Sequence, residues 1–163
     1  MTADSNRAAG LRAHREPRHE AREAALQMLY QWEVGKTPID EVIRTFWRHR
    51  SDPEAETHGP PHDLPSGELQ QLATVLAGGV AANVQTLDPV IGEAAEHWRI
   101  ERMAVMDRLI LRLAVYEFRH RPETPGRVVI NEALELARTF SSDDAVRFIN
   151  GILDSIRRTS ERE

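Results

Sequence analysis

Apolar positions recur at spacings of three and four along most of the chain, as they do in helices that bury one face. From Ala21, the positions Ala25, Leu26, Met28, Leu29, Tyr30 and Trp32 mark a first helix that closes near Gly35, with Pro38 just beyond. Ile39, Val42, Ile43, Phe46 and Trp47 predict a short second helix. A third opens at Ser66, with Leu69, Leu72, Ala73, Leu76 and Val80 on its apolar face. A fourth runs from Leu87 to Trp98 and starts at Asp88-Pro89, where proline suits the first turn. Residues 103–118, MAVMDRLILRLAVYEF, carry charge only at Asp107, Arg108, Arg112 and Glu117. A helix so apolar on every side belongs at the centre of a fold. Residues 127–139 and 142–157 form the last two helices, with Ser141 and Asp144 spaced as a capping box between them.

Two sites break local rules inside this pattern. Gly78 and Gly79 interrupt the third helix, at about 1 kcal/mol each relative to alanine, so a close helix crossing is expected there. Asn150-Gly151 is a strong hairpin signal, yet Ala145, Phe148, Ile149, Ile152, Leu153 and Ile156 stay in helical phase across it. Tertiary context must override the turn, and such violations collect where backbones cross or a partner binds. No stretch alternates with the period of a strand, so the fold class is all-α, with about seven helices.

Composition narrows the function. With 163 residues, 40% of them hydrophobic, the chain suffices for one core. Cysteine is absent, which removes disulfides, thiolate metal sites and thiol nucleophiles. No apolar run approaches a membrane span, so a soluble, cytoplasmic protein is expected. The net charge of −5 is unevenly spread: residues 1–22 carry +2, whereas residues 51–68 carry −5 and four of the nine prolines. A flexible basic tail over 1–17 and a solvated acidic connector over 51–66 follow from this.

Catalysis has no visible seat. The seven histidines are scattered without metal-ligand spacing, and no phosphate-binding glycine loop or nucleophile elbow occurs, so neither an enzyme nor a cofactor is expected. Asp107, Arg108 and Arg112 suit ion pairs or hydrogen bonds within the molecule at the core's edge. Glu117 lies on another side of that helix and suits a different neighbour or a partner. Arg18, His19 and Arg22 precede Tyr30 and Trp32, and phosphate donors combined with stacking rings suit single-stranded RNA.

The segments RHEAREAALQMLYQWEVG, DRLILRLAVYEF, VVINEALELARTFS and AVRFINGILDSI, in this order, resemble the NusB family of transcription antitermination factors. The resemblance implies two small helical bundles packed together within one domain, 18–158, the first over about 18–84 and the second over about 86–158. It also implies binding of the boxA RNA of ribosomal RNA leader transcripts, jointly with the ribosomal protein NusE, within an antitermination complex of RNA polymerase. On this sequence it places Arg18, His19, Arg22, Tyr30, Asp144 and Phe148 against RNA and Glu117 against NusE. Where the family often has consecutive arginines, this chain reads Arg-His-Glu-Ala-Arg, with Glu20 interrupting the run. The same fold is joined to ribosomal RNA cytosine methyltransferases, but those need a cofactor-binding α/β domain, and only a few residues follow the last helix here. The rival reading is a helical interaction or self-association module without RNA binding.

Overall fold

In a computed structural model that describes residues 17–51, 67–96 and 98–161, the helical periodicity resolves into six α-helices and one 3₁₀ turn. They are α1 (Pro17–Gly35), α2 (Ile39–Ser51), α3 (Gly67–Ala94), the 3₁₀ turn Ile100–Arg102, α4 (Val105–His120), α5 (Gly126–Phe140) and α6 (Asp143–Ser160). There is no strand among the described residues. The sequence up to residue 16 and the connector residues 52–66 lie outside them.

α4 is the centre, as its composition demands. Every residue from Leu109 to Glu117 is buried, under α1 and α3 on one side and α5 and α6 on the other. Arg22 of α1 meets Glu117 of α4 while Glu33 meets Arg108, so these two helices run antiparallel. α2 closes on α1 and α3 through Val42 and Phe46, and its Trp47 indole N–H donates to the Thr74 hydroxyl at 3.4 Å. The turn after α1 is made by Lys36 in the left-handed region, φ 53°, followed by Pro38.

Two sequence expectations change. The helix expected to start at Asp88-Pro89 is the C-terminal part of α3, which runs unbroken to Ala94 with Pro89 inside it. An interior proline costs about 3 kcal/mol. Leu87 and Ile91, on either side of it, are fully buried, and each gains roughly 1.5–3 kcal/mol from burial, so continuing the helix wins. The cap of α6 is Ser142, whose hydroxyl accepts from the Ala145 N–H at 3.1 Å, one residue later than expected. Ser141 instead donates its hydroxyl to Asp107 at 2.6 Å, pinning the α5–α6 turn to α4.

The two glycine anomalies separate. The Tyr116 ring lies where a β-carbon on Gly79 would stand, so at this α3–α4 crossing any larger residue would have to displace the ring or the helices, whereas Gly78 has Ile43 at 4.0 Å and ordinary room. Gly151 has nothing within 4 Å among the described residues and lies on an exposed helix surface, so no crossing of the described helices accounts for it.

Candidate nucleic-acid interface

The residues singled out from the sequence fall into two groups at opposite ends of α1. Arg18, in the first turn, is exposed and free to meet a phosphate. Arg22, one turn on, points inward and is only 3% exposed. Its guanidinium grips Glu117, itself 2% exposed: Nε donates to Oε2 at 2.9 Å and to Oε1 at 3.2 Å, and Nη2 donates to Oε1 at 2.8 Å. Glu132 of α5 stands 3.8 Å from Nη1 of the same arginine. His19 lies between Glu132, 2.5 Å from Nδ1, and Glu23, 3.0 Å from Nε2.

This cluster corrects two expectations. Arg22 is a buried clamp rather than a surface phosphate donor, and Glu117 is its counter-charge rather than an exposed contact for a partner. The physical reason is position: both side chains point into the seam where α1 crosses α4, and there neither charge is tolerated without the other. His19 is half-buried, with both ring nitrogens engaged by carboxylates. Glu132, which joins α5 to both side chains, was not singled out from the sequence, although the INEA run that contains it was.

At the other end of α1, Tyr30 is 43% exposed and lines a hollow with Leu26, Gln27, Gln31, Met106 and Phe140. Twelve residues separate it from Arg18, about 18 Å along the helix. Next to it, across the Ser141–Asp107 contact, Asp144 and Phe148 line a second hollow of about 260 Å³. Asp144, in the first turn of α6, is exposed, and Phe148, one turn on, is half-buried. Trp98, which the sequence reading treated only as a helix end, shares this hollow and sits edge-on to Phe148 with centroids 5.8 Å apart and planes at 72°. Tyr30, Asp144 and Phe148 thus converge on the N-terminal end of α4, and Arg18 stands apart from them.

A second charged seam lies at the Tyr30 end of α1, around Glu33 in its last turn. Arg108 donates to Glu33 at 2.9 Å. Arg112 donates through Nε and Nη2 to the two oxygens of Asp88, both at 2.8 Å, and reaches Glu33 at 3.4 Å. Burial alone would lower the Arg112 pKa, but the bidentate bond to Asp88 and the charges of Asp88 and Glu33 together raise it above its ordinary value. Arg108, Arg112 and Asp107 therefore act within the molecule, as their place on an otherwise apolar helix implied. Their partners Glu33 and Asp88 carried no sequence signal, because charged residues on amphipathic helices are ordinary.

The comparisons with known proteins point one way. The family model described as "NusB family" matches residues 19–158. The transcription antitermination protein NusB of Koribacter versatilis is 45% identical over 146 residues, covering 90% of this chain and 92% of that protein. Its counterpart in Sorangium cellulosum is 41% identical, covering 85% and 90%. Among solved structures, T. maritima NusB superposes with a TM-score of 0.71 at 27% identity, over 86% of this chain and 90% of that one. A chain from a complex of the antitermination factors NusB and NusE with dsRNA shares the fold, with a TM-score of 0.69 at 22% identity over 89% and 98%. With a family model spanning both charged seams and both hollows, and relatives alike over nearly their whole length, the chain belongs to the NusB family.

Proposed function

We propose that this chain is a cytoplasmic transcription antitermination factor that binds boxA RNA of ribosomal RNA leader transcripts together with NusE and so keeps RNA polymerase processive. The observation that carries this reading is the 45% identity to an antitermination protein over 90% of the chain. The surface is consistent with it: Arg18 offers a phosphate donor, Tyr30 and Phe148 offer rings, and Asp144 offers an acceptor for a base N–H. Non-catalytic binding suffices for such a role. The burial of Arg22 and the engagement of His19 favour a second reading, a helical interaction module that does not bind RNA, because they reduce the basic surface to less than the sequence suggested.

Fluorescence anisotropy with a short boxA oligonucleotide and a scrambled control, with and without NusE, decides between the two. Arg18→Ala is expected to weaken binding and lower the slope of log affinity against log salt by about 0.7, one phosphate's share on a single strand. Tyr30→Ala or Phe148→Ala is expected to cost about 1–3 kcal/mol with the slope unchanged. If neither the protein alone nor its mixture with NusE prefers boxA over the scrambled RNA, the interaction-module reading takes its place.

A further inference from the structure

Between α3 and α4, Trp98 holds an aromatic ring in solvent. The Ala95 N–H bonds the Ile91 carbonyl at 2.9 Å, and the Trp98 N–H bonds the Ala95 carbonyl at 2.9 Å. The Arg102 and Met103 N–H groups close the 3₁₀ turn onto the Arg99 and Ile100 carbonyls at 3.0 and 3.1 Å. Arg108 reaches over to donate to the Ile100 carbonyl at 3.3 Å, while the side chains of Ala95 and Met103 are buried. Trp98 is thus tied to the end of α3 by its own N–H, and the turn that follows it is closed by hydrogen bonds. Its ring is nonetheless 58% exposed, more than any other large apolar side chain among the described residues. Tryptophan gains more than most residues from burial, so an indole left this exposed is a feature to be explained.

The surroundings of the ring indicate what covers it. Trp98 borders two hollows: the one of about 260 Å³ that it shares with Phe148, and one of about 530 Å³ floored by Pro89 and Gly92. Each hollow has an exposed arginine on its wall, Arg102 in the first and Arg99 in the second. Neither guanidinium has a carboxylate partner among the described residues. Of the four carboxylates that line these hollows, Asp88 and Asp107 are already engaged by Arg112 and Ser141, while Glu101 and Asp144 are exposed and form no ion pair with either arginine. An aromatic platform with an unpaired cation on each side fits an unpaired base flanked by its two phosphates.

We propose that Trp98 is a base-stacking platform that extends the RNA surface past Phe148, seating one unpaired base while Arg99 and Arg102 take the phosphates on either side. This rests on the RNA-binding reading above and adds three residues to it. The test uses the full chain and a single-stranded boxA RNA of about twelve nucleotides, with intrinsic tryptophan emission and anisotropy followed together. The RNA is expected to quench the emission of the wild-type protein, and Trp98→Phe is expected to lose that quenching. Trp98→Ala is expected to weaken binding roughly 5- to 150-fold at constant salt slope, with Trp98→Phe recovering part of the loss. Arg99→Ala and Arg102→Ala are each expected to flatten the slope by about 0.7. If wild type and Trp98→Phe quench alike and Trp98→Ala binds with wild-type affinity, the platform is refuted and RNA binding elsewhere on the protein stands. If the wild-type protein binds no RNA, with or without NusE, both readings fall. If Trp98→Ala keeps its RNA affinity and loses affinity for purified NusE, the ring is a protein anchor and the proposal is overturned. Because the ring is exposed, the melting temperature of Trp98→Ala is expected to match wild type; should that variant not fold, the quenching comparison with Trp98→Phe decides.

Discussion

A buried arginine and a surface arginine look alike in a sequence, and Arg18 and Arg22 show how differently they then behave. Both lie in the first turns of α1, four residues apart, and both can donate to phosphate. Only Arg22 is committed, with two of its nitrogens on Glu117 and a third near Glu132. Removing one member of a buried pair strands the other charge away from water, which costs about 3–5 kcal/mol. Arg22→Ala and Glu117→Ala are therefore expected to lower the unfolding free energy measured in urea by about 3–5 kcal/mol, and each is expected to be a stability variant before it is a binding variant. Replacing both, as Arg22→Met with Glu117→Leu, is expected to recover most of the loss, since an apolar pair of similar volume leaves no charge unpaired. Equal stability of Arg22→Ala and wild type in urea would show that the clamp is not formed in solution.

At the scale of the helix, the two glycine anomalies make opposite predictions. Gly79 lies in α3 where the ring of Tyr116 in α4 crosses it, and that ring is buried and stacked on His120 with centroids 4.7 Å apart. Gly79→Ala is expected to force α3 and α4 apart and to destabilise by about 1–3 kcal/mol, as overpacking does. Gly151, in the middle of α6, has no neighbour among the described residues, so Gly151→Ala is expected to gain about 0.5–1 kcal/mol from helix propensity alone. Thermal melts of the two variants against wild type check the pair; a loss at Gly151 would reveal a neighbour absent from this chain's own contacts. The sequence marked both positions as violations but had no means to rank them. What separates them is whether another helix lies over the glycine, and that depends on residues 37 positions away in one case and on nothing in the other.

At the scale of the molecule, α4 decides whether there is a fold. It packs against α1, α3, α5 and α6 together, and Leu113 at its middle is 1% exposed. Leu113→Asp buries a carboxylate with no designed partner, so that variant is expected to lose its cooperative melting transition and near-ultraviolet signal altogether. The all-helical class, the central helix and the intramolecular role of Arg108 and Arg112 were legible from the sequence. Helical period and a nearly chargeless central stretch are local properties, written in the residues themselves and independent of what packs on them. The continuity of α3 through Pro89 was not legible, because a proline reads as a start or a break until the burial of Leu87 and Ile91 outweighs its cost. Nor was the direction in which a side chain on α1 points. Arg22 and Arg18 differ by four residues, hence by about 40° around the helix, and that small rotation carries one guanidinium into the seam with α4 and leaves the other in water. Trp98 escaped for the same reason: exposure belongs to the assembled surface, and the chain alone records only that a large apolar ring is present. The sequence determined which elements form and to which family they belong, while packing decided which charges are spent inside the molecule and which rings remain for a partner.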